Sequence, residues 1–151
     1  MKVTLQRVSK ATVTVKETNK IVGKIDKGLF ILLGIKRGDG QKQVDELVEK
    51  ISKLRIMADE KEKMNLSIMD TKIADETEIL LVSQFTLYAN TKDGNRPSFI
   101  EAEEPKKAKE LYEYFVKRLR EKGIKVETGS FGDYMEISCI LDGPVTIDLE
   151  N

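Results

Sequence analysis

Only two stretches of this chain repeat apolar residues at helical spacing, and that scarcity of helix limits what its strands can build. Val44, Leu47, Val48, Ile51 and Leu54 predict an amphipathic helix over roughly 41–54. Pro105 opens a second, as proline does at the first helical position. Ala108, Leu111, Tyr112, Phe115, Val116 and Leu119 make its buried face, and Gly123 suits its end. Most of the rest reads as strand. The odd positions Val3, Leu5, Ala11, Val13 and Val15 predict a long strand over 2–15 with one buried face. The continuous apolar run 28–35, bounded by glycine, reads as a central strand, and 78–85 as another. Strands follow at about 124–128, 133–141 and 144–149, with Gly143-Pro144 as a tight turn between the last two. The order approximates ββ-α-β-α-βββ. Two helices cannot cover both faces of so many strands, so the expected class is α+β, not a doubly wound sheet. No linker or repeat divides the chain, so residues 1–151 are expected to form a single domain.

Composition narrows the chemistry. The chain has no histidine, which removes Ser-His-Asp and Cys-His nucleophile systems and His-ligated zinc. A single cysteine, Cys139, permits no intrachain disulfide and no thiolate metal site, and its apolar neighbours suggest a small buried hydrophobe. No Asp/Glu cluster has a ligand-like spacing, and no glycine-rich phosphate loop opens a helix, so no metal and no cofactor is expected. The 26 basic and 26 acidic residues balance, which argues against a long duplex footprint but leaves room for binding one RNA end. No apolar run approaches a membrane span and the N-terminus lacks a signal-peptide pattern. A cytoplasmic protein is the expectation.

Chemistry-bearing residues gather in three places. In Ser83-Gln84-Phe85-Thr86-Leu87, hydroxyls and an amide appear at the end of an aliphatic strand. Ordinary strand-end capping and a binding site are both open readings. Asp142-Gly143-Pro144-Val145-Thr146 reads first as a structural hairpin. Asn95-Arg96-Pro97-Ser98-Phe99 lies in a long loop over 88–104, and combines a cation, a rigid turn and an aromatic. Such a set can meet a phosphate and stack a base, or simply pack on the surface. Arg7 stands apart. It shares the buried parity of the first strand, where an arginine needs a partner, unless a bulge near Val8 turns it outward.

Taken in order along the chain, these motifs resemble the D-aminoacyl-tRNA deacylase family. Leu5-Gln6-Arg7-Val8, Ala11 to Val15, Lys63-Met64-Asn65-Leu66 and Tyr112 to Phe115 extend the resemblance over essentially the whole chain. The resemblance implies a mostly antiparallel, barrel-like β core with two main helices. It also implies hydrolysis of the ester of D-aminoacyl-tRNA, and of glycine mischarged on tRNA, as chiral proofreading in translation. The implied enzyme is a metal-free homodimer that takes the 3′ acceptor end of aminoacyl-tRNA, without DNA or membrane partners. Ser83, Gln84, Phe85 and Thr86 would form the pocket of one subunit. Gly143 and Pro144 of the other, joined by a cis peptide, would reach into it, and Arg7 would hold that element in place. Phe131 and Met135 would line the pocket or an adenosine site, with Ala102 near it; core packing is the other reading. One departure stands out: the family often has Asn two residues before that glycine, where this chain has Leu141.

Ester hydrolysis needs an activated water or nucleophile and a stabilised oxyanion. Without histidine no base obviously activates Thr86, so the preferred scheme has the terminal ribose 2′-hydroxyl assist a water. Rigid backbone that occupies the space of an L side chain rejects by clash, and so cannot reject glycine. Two rival readings are a non-catalytic nucleic-acid-binding module with the same fold and a hydrolase of small esters.

Overall fold

A computed structural model describes residues 1–70, 73–92 and 94–151. Strand β1 (Lys2–Val15) is the organising element. One of its edges pairs antiparallel with β3 (Gly28–Gly34) through Lys2–Val8, then with β2 (Lys20–Ile25) through Ala11–Val15. The other edge pairs along its length with β8 (Met135–Glu150). Beyond β3 the sheet continues in parallel with β6 (Glu78–Ser83) and β7 (Lys125–Thr128). A small hairpin, β4 (Met57–Ala58) and β5 (Met64–Leu66), stands separately. The sheet is therefore mixed, with its antiparallel half built on β1.

Alternation within the strands sorts side chains onto two faces. Val3, Leu5, Leu29, Ile31, Ile79 and Leu81 face the helices α1 (Gln41–Lys53) and α2 (Pro105–Glu121). Val44, Leu47, Val48 and Ile51 of α1 and Leu111, Phe115 and Leu119 of α2 complete that core. Each such burial stabilises by roughly 1.5–3 kcal/mol against the exposed side chain. Both helices lie on this one face, so the opposite face has to cover itself. It does so by curling: Val8, Val13, Ile25, Phe30, Leu80 and Val82 form a second core inside the bend. β2 comes so close to β7 that a Cβ added to Gly23 would lie 2.4 Å from the Thr128 carbonyl oxygen. The result is the nearly barrel-shaped α+β core expected.

The helices are also tied by charge. Arg118 Nε donates to Asp45 Oδ1 at 2.7 Å, and Glu49 takes Lys122 just past the end of α2 and Lys53 from its own helix. Hydrogen bonds from Lys122 and then Lys53 pull the Glu49 carboxyl down from 4.5 to about 2. A depressed carboxylate pKa contributes stability above its unfolded value and loses it as pH falls through its folded value. Acid unfolding of the wild type between pH 4.5 and 2 is thus expected to be steeper than that of Glu49→Gln, and the difference is expected to shrink in 1 M salt. Equilibrium melts across that range check it; parallel acid profiles would refute it.

Three local expectations are corrected, and three short strands are added. The strand expected over 78–85 ends at Ser83, and Phe85–Tyr88 forms a 3-10 turn. The strands β2, β4 and β5 carry too little apolar alternation to have been read from sequence. The hairpin at Gly143-Pro144 does not exist: β8 runs straight through it. Gln6 pairs with Thr146 and Val8 with Leu141, so two steps along β1 span five along β8, and Asp142-Gly143-Pro144-Val145 bulges from the ladder. The bulge does not turn Arg7 outward, since Arg7 is only 8% exposed.

Candidate active site

The site is built where β3 and β6 end side by side. Leu33 pairs with Ser83, and Gln84 N–H donates to Leu33 O at 2.8 Å, so the strand end is held one residue past the ladder. The chain then turns tightly against Gly34, where an added Cβ would lie 3.0 Å from Leu87 Cβ and 3.1 Å from Gln84 O. This turn throws Phe85 out, 57% exposed, to meet Phe99 edge-on at 5.1 Å. Gln84 Nε2 donates to Thr86 Oγ1 at 2.6 Å.

Beside them opens a cavity of about 720 Å³. That is ample for a small-molecule-sized group, and such sites are mainly apolar with a few polar groups. Ser83, Gln84, Phe85, Ala102, Phe131 and Met135 all line it. Phe131 is backed by Tyr112 at 5.7 Å, whose hydroxyl donates to Leu81 O at 2.7 Å. Burial pushes that hydroxyl's pKa up, so it stays a neutral strut. Met135 Sδ accepts the Ser130 N–H at 3.2 Å, which fixes the loop after β7 against the wall. Burial likewise raises the Cys139 thiol, which is half-buried, not fully buried as expected, and packs against the inner core. Among the described residues no group of three or more Cys, Asp or Glu is placed to hold a metal ion.

Thr86, Arg7, Gly143 and Pro144 do not line this cavity. The last three form a cluster of their own. The Gly143-Pro144 peptide is cis, and Gly143 has φ +118°, a conformation that suits glycine. Arg7 sits beneath it: Nη1 donates to Ile56 O at 2.8 Å, and Nε lies 2.9 Å from Asp142 Oδ2. The Nε–H makes no aligned hydrogen bond, so this second contact is charge attraction. A Cβ on Gly143 would come within 3.2 Å of Arg7 Nη2. The arginine therefore spans β1, the segment after α1 and the β8 bulge. Leu141, the residue before Asp142, is exposed.

Arg96 lies exposed and outside the cavity, whereas Phe99 of the same loop lines it. Leu33, Arg37, Glu103 and Tyr134 also line the cavity and were not singled out in sequence. Arg37 and Glu103 sit in short polar segments that no periodicity marks. Lys107 holds the Glu103 carboxyl below its ordinary range, helped by the Glu104 and Gly38 N–H groups. Among the described residues no helix is long and apolar enough to cross a membrane.

Comparison with known proteins agrees with this architecture. The sequence model of a family described as "D-Tyr-tRNA(Tyr) deacylase" matches residues 4–150. A D-aminoacyl-tRNA deacylase of Aquifex aeolicus is 51% identical over 151 residues, covering 100% of this chain and 98% of the relative. One of Lactobacillus gasseri is 51% identical over 150 residues, covering 99% of each. A solved structure described as "c-Myc DNA Unwinding Element Binding Protein" superposes with a TM-score of 0.89 at 39% identity, covering 100% of this chain and 99% of that one. A structure described as a probable eukaryotic D-amino acid tRNA deacylase shares the fold at TM-score 0.80 and 18% identity, with 98% of each chain covered. With a family match across nearly its whole length and relatives at half identity, the chain belongs to the D-Tyr-tRNA(Tyr) deacylase family.

Proposed function

We propose that this protein hydrolyses the ester between a D-amino acid and the 3′ end of tRNA, and likewise releases glycine mischarged on tRNA. The observation that carries this reading is the family match over 4–150, with Ser83, Gln84 and Phe85 standing together at a cavity large enough for an aminoacyl-adenosine end. The enzyme acts in the cytoplasm, where charged tRNA is found, as proofreading of translation. Phe85, Phe99 and Phe131 offer flat apolar surfaces for the terminal base and the aminoacyl side chain.

Water attacks the ester carbonyl, the bond to the ribose 3′-oxygen breaks, and the proton passes to that leaving oxygen. Thr86 is a poor nucleophile here. Its oxygen already accepts from the Gln84 amide, which is a donor and no base. The terminal ribose 2′-hydroxyl supplies the orientation of the water instead. The N–H groups of Phe85 and Thr86 open the 3-10 turn, lie outside its own hydrogen-bond pattern and, in this reading, hold the oxyanion.

In this reading chiral rejection uses Gly143 and Pro144; neither lines its own chain's cavity, which supports their coming from a second copy. A homodimer is supported by β8: it pairs only with β1 among the described residues, and Ile137, Ile140 and Leu141 are exposed along it. A long apolar strand with an open edge is a surface that proteins normally cover.

Release of labelled amino acid from D-Tyr-tRNA and L-Tyr-tRNA tests the reading. The wild type is expected to cleave only the D form, and Thr86→Ala to keep activity within about 10-fold. Loss of turnover in a folded Thr86→Ala protein would restore the threonine nucleophile. A wild type that binds tRNA or single-stranded DNA but leaves D-Tyr-tRNA intact would favour the binding-module reading, to which the DNA binding named for the 39% identical structure gives a concrete form.

A further inference from the structure

We infer that Arg37 is a positioning residue that grips the phosphodiester next to the terminal nucleoside as the RNA leaves the cavity. The inference rests on the deacylase reading and concerns how that substrate is held. Arg37 is the one cation among the described residues lining the cavity. It is rigidly mounted. Lys36 bridges to Ala102, Arg37 N–H donates to Glu101 O at 2.9 Å, and Lys36 N–H donates to Asp39 Oδ2 at 2.7 Å. Arg37 Nε donates to Ala102 O at 3.3 Å, which aligns the guanidinium at the cavity mouth and leaves its two Nη groups without a partner among the described residues.

Nearby charge explains why it stays unpaired. Glu101 is taken by Lys36 at 3.2 Å, and Glu103 by Lys107 at 2.7 Å and by the Gly38 N–H. Glu101 and Glu103 on the facing segment thus each have another cation, and Glu104, which also lines the cavity, makes no ion pair with Arg37 among the described residues. What remains is an exposed guanidinium, anchored through Nε, at the wall of a mainly apolar cavity. A guanidinium fork matches a phosphate through paired N–H donors. When the terminal nucleoside and its amino acid fill an apolar cavity, the first group at the mouth is its 5′ phosphate.

The test compares D-tyrosyl-tRNA with D-tyrosyl-adenosine, which lacks that phosphate. For Arg37→Gln, KM for the charged tRNA is expected to rise about 10-fold with little change in kcat, as for loss of a charge-assisted contact. The slope of log KM against log salt is expected to fall by about one unit. The preference for tRNA over the adenosine ester falls by the same 10-fold factor, and Arg37→Lys recovers part of it. Equal losses on both substrates, or no loss on tRNA, overturn the inference while leaving the deacylase reading intact. A wild type inactive on both substrates overturns that reading, and this inference with it.

Discussion

Arg7→Ala is expected to lose about 2–4 kcal/mol of unfolding free energy and most of the deacylase turnover. Arg7 is 8% exposed and holds two segments, donating to Ile56 O at 2.8 Å and lying 2.9 Å from Asp142 Oδ2 as an ion pair. Its removal leaves a buried carbonyl without a donor, a cost of roughly 1–3 kcal/mol. The loss at Asp142 is smaller than for a fully buried pair, because that carboxylate is half exposed and water replaces part of the attraction. Function is expected to suffer more than stability. Residues 142–145 bulge from the ladder, and the charge contact of Arg7 with Asp142 ties that bulge to β1. Arg7→Met keeps most of the volume and removes the charge, which separates packing from electrostatics. Urea unfolding and D-Tyr-tRNA hydrolysis measure the two effects. A fully active Arg7→Met enzyme would show that the bulge keeps its shape unaided.

The second large effect is expected at Ile140, which lies on β8 opposite Lys10 and is 58% exposed. In an isolated chain Ile140→Asp exchanges one exposed side chain for another and changes stability by no more than about 0.5 kcal/mol. In a dimer covered along β8 it buries an unpaired carboxylate, a penalty of several kcal/mol. That weakens association by on the order of a thousandfold or more. Sedimentation is expected to show a dimer for the wild type and a folded monomer for the variant. Activity is expected to fall with the dimer although Ser83, Gln84 and Phe85 are untouched. A monomeric wild type with full chiral rejection would show that Gly143 and Pro144 act some other way.

Much of the fold was legible in the chain because its signals are local. The spacing of Val44, Leu47, Val48 and Ile51, the proline at 105 and the alternation from Val3 to Val15 each act within a few residues, and the two helices and β1 follow them closely. The small number of helices already required the sheet to cover one of its own faces. The absence of histidine settled which catalytic systems could not operate, whatever the fold.

Tertiary structure decided the rest. A Gly-Pro pair reads locally as a turn, yet pairing with β1 on both sides carries β8 straight through it and expels the pair as a bulge. The polarity of Arg7 on a buried face stated a need for a partner, but Ile56 and Asp142 lie 49 and 135 positions away, and only the closed sheet brings them to it. The cavity joins Leu33, Ser83, Ala102 and Phe131, which no spacing links. Arg37 makes no ion pair among the described residues, while Lys36 takes Glu101 and Lys107 takes Glu103. Periodicity is a property of neighbours along the chain, whereas a site is a property of neighbours in space; that is why the elements could be read from this sequence and the partners of its charged residues could not.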